Sequence, residues 1–260
     1  MNYAYRGWRR AWGKPKSRAC GGALVWQLDD CWPTTSWAVV DHFLVKKPAF
    51  YAIKRSMEPI SVNVSRAFED WTAGHAHPPV TSNYDVWVAS SKTTIVSHAV
   101  LEIRFISIRT GRDSRPMQRR TIKIQPNCTN VICKDIGIEN PPNRDAFVIF
   151  AKLLIDGKLV SKHVDWPQPY KYLSFDEDRG LQVKLGDSRK EINITASKPV
   201  KGLVFDERPG LSFSDNGLDV VPGEDYSVQV HGLGENEVLG WMFLGIDESK
   251  KTAEVRCARL

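Results

Sequence analysis

The chain has 260 residues, 42% of them hydrophobic and 25% charged, with a net charge of +6 and a mean hydropathy of −0.33. This is ordinary globular composition, and the length allows one or two domains with a real core. No apolar run approaches the ~20 residues that span a bilayer, and the opening residues Met1 to Arg10 contain no apolar signal core.

The positive charge is concentrated at the front. Residues 1–57 carry ten basic side chains against three acids, so the remaining 203 residues hold about one net negative charge. Interleaved basic and aromatic residues are also a nucleic-acid pattern. Here the positives flank an apolar stretch as two separate helix-like segments with no nucleic-acid motif, and a solvated helix face is the expectation. Five cysteines (Cys20, Cys31, Cys128, Cys133 and Cys257) are irregularly spaced, and Cys128 and Cys133 have no second pair to complete a zinc site. Free thiols are expected, favouring a cytoplasmic setting, with a secreted or vacuolar one left open. Asn63, Asn127 and Asn193 open glycosylation triplets that matter only in a secreted protein.

Residues 1–13 read as a helix, with Tyr5, Trp8 and Trp12 on one side and arginines on the others, closed by Gly13 and Pro15. Residues 21–28 run through Ala23, Leu24, Val25 and Trp26 without alternation, as a strand buried on both faces of a parallel sheet does. Trp32 and Trp37 follow, with Gln27, Asp29 and Asp30 among them. Just past the end of a barrel strand is where a (β/α)8 fold binds substrate. Indole faces beside carboxylates and amides suit a sugar, the rings stacking on C–H faces while the polar groups take the hydroxyls. Three core tryptophans at a helix–strand junction fit the same residues. A second helix is predicted from Pro48, a residue suited to a first turn.

From Pro59 the pattern turns alternating. Strands are predicted at 59–65, 85–88, 99–105, 119–124, 146–155 and 159–164, with Asp156-Gly157 as a hairpin turn. About seven strands over ~120 residues make a β-sandwich. Trp166 to Tyr172 then crosses to a smaller Ig-like sandwich with strands at 181–185, 191–196, 202–206, 226–230 and 239–244, and a charged tail follows at 248–260. The expected class is mostly β: the last β/α unit of a (β/α)8 barrel (1–57), followed by two Ig-like β-sandwich domains (58–176 and 177–247).

Several blocks carry a resemblance. They are Trp26-Gln27-Leu28-Asp29-Asp30-Cys31-Trp32-Pro33, Ser36-Trp37, Tyr51-Ala52-Ile53-Lys54-Arg55, Asp85-Val86-Trp87, Asp165-Trp166-Pro167-Gln168-Pro169, Lys171-Tyr172-Leu173, Pro199-Val200-Lys201-Gly202 and Phe213-Ser214-Asp215-Asn216-Gly217. Together they resemble the C-terminal part of a fungal-type β-mannosidase of glycoside hydrolase family 2, with Asp29 standing where that family usually has Asn. The resemblance implies hydrolysis of terminal, non-reducing β-D-mannose with retention, which needs two carboxyl groups about 5–5.5 Å apart. It also implies catalytic glutamates after the fourth and seventh barrel strands. The first Glu here is Glu58, already beyond the eighth, so no catalytic residue is expected in this chain and no hydrolase activity from it alone. Trp26 would be the aromatic platform under the reacting sugar, with a cis bond to Gln27, and Asp30 and Trp32 would order hydroxyls or the ring. The substrate of the parent enzyme would be a β-mannoside or manno-oligosaccharide. Its missing barrel and N-terminal domains would be the partners of this segment, leaving residues 1–57 with exposed apolar faces.

No cofactor, metal, nucleic acid or membrane is implied. Asp29 and Asp30 are adjacent: on a strand they face opposite ways and make no carboxyl pair, and only a loop conformation would bring them together. His75 and His77 lack a third ligand, and no Ser–His–Asp grouping has a motif context. A reading from another class is a non-catalytic sandwich that binds glycan or protein through aromatics in 68–71 or 166–170.

Overall fold

The computed structural model describes residues 1–13, 20–67, 80–140, 145–167, 170, 173, 175 and 178–245. The chain divides into two compact units, one formed by 2–23 with 55–174 and the other by 1, 24–54 and 175–260. The segment 1–57 is thus shared between them.

In the first unit, α1 (Asn2–Trp12) stands against a sandwich. One sheet has the order β1 (Ile60–Arg66), β2 (Thr81–Ser90), β5 (Cys128–Glu139); the other runs β4 (Gln118–Ile124), β3 (Val96–Ser107), β6 (Phe147–Ile155), β7 (Lys158–Asp165), all antiparallel. Alternate residues such as Leu101, Ile103 and Phe105 on β3 meet Val62, Val64 and Val86 from the facing sheet in one core, which the period-2 pattern demands. Edge strand β1 is closed by side chains: the Val62 amide donates to Ser161 Oγ at 3.1 Å and the Val64 amide to His163 Nδ1 at 3.0 Å. Asn63 is buried on β1, its amide donating to the Ser61 carbonyl at 2.9 Å, so in this fold it is no glycan acceptor.

Helix α1 corrects the expectation of a solvated arginine face. Arg6 and Arg9 are buried and Trp8 is exposed. Arg9 donates to the Ser56 carbonyl at 2.7 Å, Ser61 Oγ at 3.2 Å and the Pro59 carbonyl at 3.3 Å, while Arg6 reaches the Val62 carbonyl and Asn63 Oδ1. The reason is an acceptor supply: residues 56–63 turn from a helix end into an edge strand, and a guanidinium fork satisfies several carbonyls at once. Arg10 sits 4.4 Å over the Trp87 ring and donates to Asp85 Oδ2 at 2.6 Å. Asp85 and Trp87, two apart on β2, share a face and clasp it. Gly13 then lets the helix end lie on β5, where any Cβ would collide with Thr129, whose amide donates to the Gly13 carbonyl at 2.6 Å.

The second unit also has two antiparallel sheets, of order β12 (Leu218–Val220), β10 (Val200–Phe205), β14 (Trp241–Met242) and β11 (Ser212–Phe213), β13 (Tyr226–His231), β9 (Glu191–Thr195), β8 (Gln182–Leu185). Ile192, Leu203, Phe205, Phe213, Val228 and Val230 fill its core. Helix α2 (Pro48–Ser56) begins in this unit. The expected strand at 21–28 does not form: the segment has no ladder, and beside it stands one isolated parallel bridge between Asp29 and Val40. A parallel strand draws its hydrogen bonds from neighbours on both sides, and among the described residues 21–28 pairs in no ladder, Val39 and Val40 meeting it at the Leu28 carbonyl. Strand β5 was missed because its charges and irregular exposure break the alternation.

Replacing Arg9 by Ala removes a buried donor from the Ser56 carbonyl and from Ser61 Oγ, while the Pro59 carbonyl keeps the Ser91 amide at 2.9 Å. It should lower the stability of the first unit by about 2–3 kcal/mol, read from urea unfolding of the full chain.

Candidate functional site

Residues 24–47 hold the predicted site. The chain leaves Leu28, makes an excursion through Trp32 and Trp37, and returns beside itself: the Val39 and Val40 amides donate to the Leu28 carbonyl at 3.2 and 2.9 Å, and the Asp30 amide to the Val40 carbonyl at 3.2 Å. Asp41 makes the next turn, its Oδ1 accepting the Phe43 and Val45 amides at 2.9 Å each, the local capping that short acidic side chains provide.

Asp30 is the buried centre of this loop. The Ser36 hydroxyl donates to its Oδ1, the Lys47 ammonium donates to Oδ2 at 3.0 Å, and Ser36 Oγ in turn accepts the Ala38 amide at 3.0 Å. The hydroxyl first, and the ammonium after it, hold the Asp30 carboxyl below the usual carboxylate range. Sequence reasoning found Asp30 but not Ser36 and Lys47, whose roles depend on a loop that closes on itself.

Around this pin the aromatics are open. Trp26 is 77% exposed, Trp32 67% and Leu24 95%. Leu28, Trp37, Phe43 and Leu44 are exposed as well, while Ala38 and Val39 are buried beneath. The peptide bond between Trp26 and Gln27 is cis, and Gln27 is half-buried. Asp29 is exposed where Asp30 is buried, so the two adjacent acids are not paired. The arrangement is a set of indole faces on a loop held by one buried carboxylate that a hydroxyl and an ammonium already meet, and it can stack on a ring. No group of His, Cys, Asp and Glu among the described residues is arranged to hold a metal, and no described helix is long and apolar enough to cross a membrane.

The loop is carried by α2, which docks on the turn before β12. Tyr51 is buried; its hydroxyl donates to Glu207 Oε2 at 2.5 Å, with the Phe213 carbonyl 3.1 Å away as the weaker acceptor of the same proton. Lys46 reaches Glu207 Oε1 at 3.0 Å, and Lys54 donates to the Ser214 carbonyl at 2.6 Å. Burial, then the Glu207 carboxylate, push the Tyr51 phenol well above its ordinary range. Asn216 completes the turn by pairing with Phe205 as a strand would, accepting its amide at 2.8 Å and donating to its carbonyl at 3.0 Å. At Gly217 the backbone is left-handed, φ 64°, and Pro48 stands 3.4 Å from where a Cβ would be. Among the alternative aromatics, Trp166 is buried and offers no open ring face. Residues 68–71, with His75 and His77, lie outside the described residues.

Residues 82–172 match the Mannosidase Ig/CBM-like domain, within the first unit. The chain is 48% identical to beta-mannosidase B of Aspergillus niger over 94% of its own length and 29% of that protein's, and the match to the Aspergillus oryzae protein has the same identity and shares. The chain is therefore homologous to part of these fungal β-mannosidases and spans less than a third of their length. Its fold is that of the corresponding part of a β-D-mannosidase from Dictyoglomus thermophilum, with a TM-score of 0.70 at 16% identity over 95% of this chain and 28% of that one. An exo-chitosanase from Amycolatopsis orientalis shares the fold at a TM-score of 0.67, with 12% identity over 93% of this chain and 32% of that one.

Two measurements check the loop and its mount. Asp30→Asn should speed hydrogen exchange at the Val39 and Val40 amides at neutral pH. In the unaltered chain that protection, present above the unfolded carboxyl value of about 3.9, should be lost as pH falls through the lower folded value. Tyr51 has the opposite sign. Its folded phenol ionises later than the unfolded one, so stability should fall as pH rises past about 10, and Tyr51→Phe should flatten that decline in urea titrations.

Proposed function

We propose that this chain is the C-terminal part of a retaining β-mannosidase, and that its loop 24–37 supplies part of the mannose site. In this reading residues 1–57 come from the last helix–strand–helix of the catalytic barrel, and 58–176 and 177–247 are the sandwiches that follow it. Trp26 is the stacking surface for the sugar ring, with Gln27, Asp30 and Trp32 shaping the loop around it. The observation that carries the reading is the conformation of this loop: a Trp26 ring presented outward beside a carboxylate pinned from two sides. An indole face of this kind is worth keeping open only where another surface or ligand covers it.

The chain alone is inactive on this reading. Retention takes two facing carboxyls, whereas Asp30 is buried and held by Ser36 and Lys47 while its neighbour Asp29 is exposed. The other barrel strands, with both reacting glutamates, belong to the remainder of the parent enzyme, whose substrate is a β-mannoside or manno-oligosaccharide.

Purified chain should give no nitrophenyl β-mannoside turnover above a Trp26→Ala control. Co-expressed with the part of the Aspergillus niger protein that it does not match, it should restore turnover, and Trp26→Ala should then cut the rate roughly tenfold or more, the scale of one lost aromatic stacking contact. Turnover by the chain alone, or restored turnover indifferent to Trp26→Ala, overturns the proposal.

A further inference from the structure

A second place in the molecule has the makings of a sugar site, and it lies in the first unit. The first turn of α1 and the outer ends of β1 and β2 enclose an open cleft of about 160 Å³, several times the roughly 30 Å³ share of one water. Tyr3, Ser65, Arg66, Asn83, Asp85 and Asp135 line it.

Three features give the cleft its chemistry. The first is the Tyr3 ring, 75% exposed on the first turn of α1 and lining the cleft. The second is a bulge. Tyr84 pairs with Ile136 and Val86 with Cys133, so Lys134 and Asp135 together oppose Asp85. The extra residue puts Asp135 in the left-handed region, φ 52°, where its amide donates to Asp85 Oδ1 at 2.8 Å and its side chain lines the cleft. A bulge re-aims a side chain, and a non-glycine residue held at positive φ is a cost that functional positions bear more often than others.

The third feature is charge balance. Asp85 already faces Arg10 at 2.6 Å, Arg66 faces Asp165 at 3.2 Å, and Asp135 lies 3.6 Å from Lys134. Each charge at the cleft has an opposite charge behind it, so an entering ion would have to displace a partner. Hydrogen-bonding capacity is what stays in surplus: carboxylates carry more lone pairs than these contacts use, and Asn83 and Ser65 add donors and acceptors. A neutral molecule rich in hydroxyls, with one apolar face for the Tyr3 ring, fits that combination.

We propose that this cleft is an ancillary binding site for a neutral pyranose, the terminal unit of a glycan chain. It stacks on Tyr3 and is held by Asn83, Asp85 and Asp135. This inference is independent of the loop at 24–37, because it needs neither Trp26 nor any catalytic group.

The test is a titration of isotope-labelled full chain with methyl β-D-mannopyranoside, followed by amide shifts in NMR spectra. Saturable shifts are expected at Tyr3, Asn83 and Asp135, with a dissociation constant on the order of 1 mM for so small and open a contact. Tyr3→Ala removes an exposed ring, and Asp135→Gly keeps the bulge, since glycine accepts the positive φ without strain. Each should weaken binding at least fivefold while leaving the remaining spectrum in place. Absence of saturable shifts at the cleft overturns the inference, and so does binding that ignores both variants. Binding abolished by Trp26→Ala instead would assign the sugar to the loop and overturn it as well.

Discussion

The Asp30 carboxylate is the constraint on which the shape of residues 24–47 depends. A segment that leaves four aromatic rings in solvent has little hydrophobic burial to define it, and its backbone forms no ladder. What defines it is a buried anion whose oxygens are held by Ser36 and Lys47. Charge-assisted bonds of this kind are directional and short-range, so they specify one loop conformation where apolar contacts would allow many. The rings outside are presented, not packed.

A similar logic recurs in both units. Arg6 and Arg9 satisfy carbonyls at the start of β1; Arg10 is held between Asp85 and Trp87; Tyr51 shares Glu207 with Lys46; and Asn216 substitutes for a missing strand partner opposite Phe205. Each lies at a place where regular structure stops and orphans backbone or carboxylate groups. Leaving such a group buried and unmet costs more than the bond itself contributes, which is why polar residues at these joints are so particular. Most of the blocks that carry the resemblance to β-mannosidases are joints of this kind.

The resemblance and the physics answer different questions about function. Kinship with fungal β-mannosidases over 94% of this chain is a statement about descent, while what the described residues can do is limited by what they hold. They hold an aromatic loop able to stack and a polar cleft able to accept hydroxyls, with Asp30, the acid at the loop's centre, already engaged.

The alternating stretches from Pro59 onward were legible because a half-buried strand writes its period directly into the chain: 99–105 and 146–155 became β3 and β6 nearly as read. The tryptophan-rich loop, Gly13 as the helix end and the hairpin at Asp156-Gly157 were legible for the same local reasons. Tertiary structure alone decided the rest. Apolar residues 21–28 could become a strand only beside parallel neighbours, and stayed ladderless without them. Arg6 and Arg9, polar by any scale, went inward because carbonyls 56 and 47 residues further along the chain needed donors. Strand β5 formed despite its irregular composition because β2 offered it an edge. Period and turn chemistry are properties of neighbours in sequence, whereas strand partners and buried charges are properties of neighbours in space.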